Sequence, residues 1–251
     1  MGRSVEHSLI EKIRERGAIH MTLLDPQKTA SGKCVEIASE AEKAGTSAIM
    51  VGGSTLASNS DLDDVIREIK KRVGVPLILF PNNISGVSRY ADAIWFMSLL
   101  NSSSTYYLID VQALSAPLIK RYGLEAIPMG YIIVGEGGAA GFVGQARGIP
   151  YDHPELALGY SLAAETLGMR FVYLEAGSGA KAPVPTKMIA LVKKHLGVPL
   201  IVGGGIRNGK AARAAVEAGA DIVVTGTLVE ETSGVSKSIY EIVRNIESRE
   251  R

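Results

Sequence analysis

Short apolar runs recur along the chain with polar, helix-forming stretches between them. The runs are AIHMTLL from Ala18, SAIMVGG from Ser47, VPLILFP from Val75, ADAIWFMSLL from Ala91, IPMGYIIV from Ile127, RFVYLEAG from Arg170, VPLIVGGG from Val198 and ADIVVTGT from Ala220. They are continuous rather than alternating, which is the pattern of strands covered on both faces in a parallel sheet. The intervening stretches include GKCVEIASEAEKAG, SDLDDVIREIKKRVG, TKMIALVKKHLG and NGKAARAAVEAGA. Most of them close on a glycine where a helix C-cap belongs. The repeated unit is therefore strand then helix, and the junctions KAGTSAIMVGG and EAGADIVVTGT repeat one another weakly.

About eight such units in 251 residues predict an α/β fold, a single-domain (β/α)8 TIM barrel over residues 1–251. A doubly wound sheet of this length would carry fewer strands or extra insertions. One unit is irregular. Only ISGVSRY separates LILFPNN from ADAIWF, so the third outer helix is expected to be shortened and irregular, leaving a gap in the helical ring. Near the N-terminus, at about residues 5–17, charges alternate with aliphatics. That segment reads as an amphipathic helix, without the apolar core of a signal peptide.

Composition narrows the partners. With 27 basic against 26 acidic residues, no global field points to nucleic acid or to an anionic membrane, so an anionic ligand must be held by a local device. Cys34 is the only cysteine; it excludes an internal disulfide and fits a reducing compartment, so a cytoplasmic location is expected. No apolar run approaches the roughly 18 residues of a membrane span.

In a barrel the chemistry sits at the C-terminal tips of the strands. Here those tips carry DPQK (Asp25 to Lys28), GGST (Gly52 to Thr55), Asn101 with Ser102, EAGSGAK, GGGIRN and TGT. Any one of them also fits ordinary turn chemistry; their concentration points to a site. The glycines of Gly203 to Gly205 and the trio Thr225, Gly226 and Thr227 follow the seventh and eighth runs, where backbone amides and helix N-termini cradle phosphate. Asp25 is the best candidate for a magnesium ligand, since Mg2+ often takes one or two protein carboxylates and completes its shell with water and phosphate oxygens. Ser54 and Thr55 stand on the neighbouring tip. The acids of DLDDVIRE, namely Asp61, Asp63 and Asp64, read as a solvated helix start. His7, His20, His153 and His195 show neither metal-ligand spacing nor a hydrolase order.

Together, LLDPQK, VGGST, FMSLLNS, YLEAGSG, IVGGGIRN and VVTGT resemble, in this order and from about Ile19 to Glu231, the archaeal geranylgeranylglyceryl phosphate synthases and their bacterial heptaprenylglyceryl phosphate relatives. The resemblance implies a prenyltransferase of ether-lipid biosynthesis. Such an enzyme joins geranylgeranyl diphosphate, or a longer polyprenyl diphosphate, to the 3-hydroxyl of sn-glycerol 1-phosphate and releases diphosphate with Mg2+. It further implies Asp25 and Ser54 as metal ligands. Glycerol 1-phosphate is expected against Tyr173, Leu174, Glu175, Ala176, Gly177, Ser178, Gly179, Gly204, Gly205, Gly226 and Thr227. A homo-oligomer, dimer or hexamer, is implied, with peripheral membrane contact open to it for the lipid product. The gap at the third unit would form part of the prenyl groove.

Two positions depart from the family pattern. Gln27 replaces a second acid common after Asp25, and Leu23 stands where some members carry a phosphate-holding lysine. At YLEAGSG, Glu175 is placed to take the proton of the acceptor hydroxyl and Tyr173 to fix the glycerol. Trp95, Phe96 and Met97 are candidates for the walls or floor of the prenyl trough. Two other readings share the glycine loops. One is a sugar-phosphate isomerase, which would oppose Asp25 with Glu136 at the fifth tip; the other is a non-catalytic phosphate-binding module.

Overall fold

The computed structural model describes residues 4–53, 59–226 and 234–247. Eight strands form in the predicted runs: β1 (Ile19–Leu24), β2 (Ala48–Val51), β3 (Leu77–Leu79), β4 (Ala93–Leu99), β5 (Glu125–Ile133), β6 (Phe171–Glu175), β7 (Leu200–Gly203) and β8 (Ile222–Thr225). Each lies parallel to the next, and β8 pairs with β1 to close the barrel. The continuous apolar runs follow from burial on both faces. Met21, Met50, Ile78, Trp95, Met129, Phe171 and Ile201 fill the interior, while alternate residues such as Ile49, Leu79, Ile94, Val172 and Val202 pack outward under the helices. Trp95 is fully buried and meets Phe171 edge to face at 5.1 Å.

The outer ring is built from α2 (Ser31–Lys43), α3 (Asn59–Lys70), α4 (Val111–Tyr122), α6 (Pro154–Thr166), α7 (Thr186–His195), α8 (Gly209–Glu217) and α9 (Val235–Glu247), and the short α5 (Gly138–Val143) lies at the strand tips beside the cavity. Between β3 and β4 there is only a 3-10 turn at Ile84–Gly86, started by Asn83, whose Oδ1 accepts from the Ser85 amide at 2.7 Å. The gap expected from ISGVSRY is present. A small cavity of about 30 Å³, lined by Val87, Ile94, Phe96 and Ile119 among others, opens there.

Helix α1 (Val5–Arg16) lies across the opposite, N-terminal mouth of the barrel. Ser4 Oγ accepts from the His7 amide, and the Glu125 carboxylate at the start of β5 accepts from the amides of Val5 (2.6 Å) and Glu6 (2.9 Å). A negative charge at the positive end of a helix is the favourable arrangement. Leu9 enters the interior cluster, Lys12 Nζ donates to Ser47 O just before β2, and Glu6 pairs with Arg170 just before β6. The helix is thus tied to the rims of three strands, and it floors the barrel.

At the C-terminal end, Asn101 locks the tips of β4 and β5 together. Its amide donates to the carbonyls of Ile133 and Arg147, and its oxygen accepts from the Ile133 amide. Ser102 Oγ donates to Gly144 O at 2.6 Å. With those groups spent on backbone, Asn101 and Ser102 shape the loops that frame the site.

Candidate active site

The strand tips enclose a cavity of about 160 Å³ with two unlike halves. One half is polar: Asp25 and Lys28 follow β1, Glu175 ends β6 with Ser178 and Gly179 in the loop after it, and Gly204, Gly205, Arg207 and Gly226 follow β7 and β8. The other half is apolar, with Phe80, Met97, Leu99, Val111, Ala140 and Val143 from the β3, β4 and β5 side. Met97 and Val111 also line the small cavity in the helical gap, so the apolar half continues toward it. Phe80, Tyr131 and Tyr173 meet between the halves, with ring centroids 5.3 to 5.8 Å apart.

Strand alternation decides which predicted residues reach this space. On β6, Phe171, Tyr173 and Glu175 face inward. Leu174 and the adjacent Ala176 face outward into the cluster beneath the helices, so the side chains of these two predicted glycerol phosphate residues do not reach the cavity. Gly177 supports the site rather than lining it: its amide donates to Glu175 Oε1 at 2.6 Å. Asp25, Tyr173, Glu175, Ser178, Gly179, Gly204, Gly205 and Gly226 converge on the cavity. Ser54, Thr55 and Thr227 lie outside the described residues.

Two glycines are required by contact. Gly204 has φ +80°, and a Cβ there would stand 2.5 Å from both Glu175 Oε1 and the Gly177 amide nitrogen. A Cβ on Gly53 would stand 2.4 Å from all three terminal atoms of the Asp25 carboxyl. Both acids therefore sit where a side chain is missing on the neighbouring tip.

Glu175 is 5% exposed. Burial raises its pKa, opposed by hydrogen bonds from the Tyr173 hydroxyl and the Gly177 amide. Tyr173 and Tyr131 have pKa values well above that of an ordinary phenol, first from burial and then from the negative charge of Glu175. Both remain neutral donors. Asp25 Oδ1 accepts from the Gln27 amide, and Lys28 Nζ stands 3.6 Å from Asp25 Oδ2 and 3.4 Å from Ser178 Oγ. Arg207 donates to Gly179 O. Two cations thus border a half that also holds two carboxylates.

Several residues of the site escaped sequence reasoning. Lys28 and Arg207 were present in the tip motifs without a role, while Phe80 and Tyr131 lay inside apolar runs whose inward face only the register reveals. All three trough candidates line the small cavity in the helical gap; Met97 also lines the main cavity, Trp95 also belongs to the interior core, and Phe96 packs against the outer cluster. Glu136 is exposed and does not line the cavity, so the opposed acid expected of the isomerase reading is missing. Asp64 is a surface acid 3.7 Å from Arg67. Among the described residues no three His, Cys, Asp or Glu gather as a metal site, and no helix is long and apolar enough to cross a membrane.

The sequence profile of the PcrB family matches residues 10–246. Geranylgeranylglyceryl phosphate synthase of Thermofilum pendens is 52% identical over 240 residues, covering 96% of this chain and 94% of that protein. The enzyme of the same name from Thermococcus kodakarensis is 53% identical over 234 residues, covering 93% and 92%. The crystal structure of (S)-3-O-geranylgeranylglyceryl phosphate synthase from Thermoplasma acidophilum, in complex with its substrate sn-glycerol-1-phosphate, matches with a TM-score of 0.95 at 42% identity and covers 99% of this chain and 100% of that one.

Proposed function

The chain belongs to the PcrB family, and from that premise we propose that it is a prenyltransferase joining geranylgeranyl diphosphate to the 3-hydroxyl of sn-glycerol 1-phosphate, with release of diphosphate, in ether-lipid biosynthesis. The two-sided cavity carries the reading. Its polar half, walled by glycine loops, suits a small phosphate ester, and its apolar half suits an isoprenoid chain.

Asp25 has the surroundings of a magnesium ligand: it is buried, it lines the cavity, and both carboxylate oxygens lie over the bare face of Gly53. A single carboxylate, completed by water and diphosphate oxygens, is a common shell for that ion, and Ser54 is its expected companion. Magnesium supplies neutralisation of the charge that develops on departing diphosphate. The chain's own groups do the rest. Gly179, Gly204, Gly205 and Gly226 offer close backbone to the glycerol phosphate, and Ser178, Lys28 and Arg207 add donors and positive charge. Tyr173, a neutral phenol, holds the glycerol next to Glu175, and Glu175 takes the 3-hydroxyl proton as the new ether bond forms. Phe80 and Tyr131 keep water from the reacting carbon.

Self-association into a dimer or hexamer belongs to the same proposal, as does a cytoplasmic location. Exposed Phe142 (87%) and Leu167 (72%) support association, which light scattering reads. The deciding assay supplies sn-glycerol 1-phosphate with C20 or C35 diphosphate, with and without Mg2+. Prenylglyceryl phosphate formed from the C20 donor is the expected product. Preference for the C35 donor would move the chain to the heptaprenyl branch, and no diphosphate release from either would overturn the reading.

A further inference from the structure

His20 lies outside the cavity and outside the strand-tip motifs, yet it is 1% exposed and both ring nitrogens are engaged. Nδ1 is 3.1 Å from Thr46 Oγ1 and Nε2 is 2.9 Å from Thr225 Oγ1. Thr46 Oγ1 also faces two backbone carbonyls, His20 O at 3.2 Å and Ala48 O at 3.3 Å, and accepts from Thr22 Oγ1. With the single Thr46 proton drawn to a carbonyl, Nδ1 carries the ring proton and donates to Thr46. Nε2 is then an acceptor, and the Thr225 hydroxyl donates its hydrogen bond to it.

The position of Thr225 gives this network its meaning. It is the last residue of β8, lines the cavity, and is followed by Gly226. On the β7 side the ladder ends one residue earlier, at Gly203 with Val224; on the β1 side it ends at Thr22 with Thr225. The tip of β8 is therefore held from one side only, and the bond to His20 is an added lateral tie just before the chain enters the glycine loop. An apolar residue would fill this outward-facing position on β1 with no polar group to satisfy. A histidine flanked by threonines there costs desolvation and returns a directed bond.

We propose that His20 is a positioning residue for the phosphate end of the site: through Thr225 it fixes the β8 tip so that the Gly226 backbone stays aimed at the phosphate of the acceptor. The inference rests on the reading of that end as a phosphate ester site. Removing the tie should weaken phosphate binding and leave the apolar half untouched.

Calorimetric titration of wild type, His20→Leu and His20→Gln with sn-glycerol 1-phosphate and, separately, inorganic phosphate tests it, alongside KM for the prenyl donor. His20→Leu is expected to bind the phosphate ligands about tenfold or more weakly, the scale of a lost buried hydrogen bond, with donor KM unchanged. His20→Gln, whose side-chain oxygen can accept from Thr225, should recover most of that loss. If both variants melt earlier but bind as wild type does, the residue is merely structural and the proposal fails. If His20→Leu does not fold, Thr225→Val against Thr225→Ser makes the same comparison: equal binding by the two overturns the proposal, and loss in Val alone sustains it. Wild type that binds inorganic phosphate but not glycerol 1-phosphate would overturn the functional reading instead, while the variants still decide the role of His20 on phosphate.

Discussion

Glu175 is the proposed base, and its environment prescribes two outcomes. Glu175→Gln keeps the size and the contact with the Gly177 amide while removing the base. Turnover should fall by about a hundredfold or more, with the dissociation constant of glycerol 1-phosphate nearly unchanged; full turnover would refute the assignment. Burial raises the pKa of this acid, and only the ionised form accepts a proton. As pH falls, kcat/KM should therefore drop through a value above the ordinary carboxylate range, and Glu175→Gln should remove that limb from the profile. The place of Glu175 in the cavity wall was legible in YLEAGSG because a carboxylate at a strand tip beside glycines is conspicuous. Phe80 and Tyr131 were not legible: an aromatic within an apolar run looks the same whether it faces the cavity or the outer layer, and strand register alone distinguishes them.

Elements follow the same division. The strands and long helices were readable because burial on both faces and glycine caps leave marks in sequence. So was the missing third helix, because too few residues lie between β3 and β4. The cap of α1 was not, since Val5 and Glu125 are 120 positions apart. The consequence is measurable: Glu125→Ala leaves the Val5 and Glu6 amides without that acceptor and should cost about 1 kcal/mol of stability, read as a lower melting temperature with kcat retained. At the tip of β7, Gly204→Ala forces an L-residue to φ +80° and presses a methyl group on Glu175. Both stability and turnover should fall, and wild-type activity in this variant would show that the loop yields more easily than its contacts imply.

For the whole molecule, one contribution to acid stability comes from the buried histidine. Desolvation lowers the His20 pKa from 6.5 to about 3. Between those values the unfolded chain binds a proton that the folded chain refuses, so stability is complete above the unfolded pKa and declines as pH falls below it. The decline from this group approaches about 1.4 kcal/mol per pH unit. Replacing His20 with Gln should flatten the stability curve between about pH 6 and pH 4 in urea titrations; an unchanged slope would mean that the ring is protonated in the fold. The floor laid by α1 bears on traffic through the enzyme. Among the described residues α1 closes the lower mouth, so ligands of the proposed reaction are left the upper rim and the gap in the helical ring beside β3. A product spanning both halves would have to clear the polar rim and the apolar gap together, which would make the pace of the proposed cycle a matter of extraction as much as of bond making.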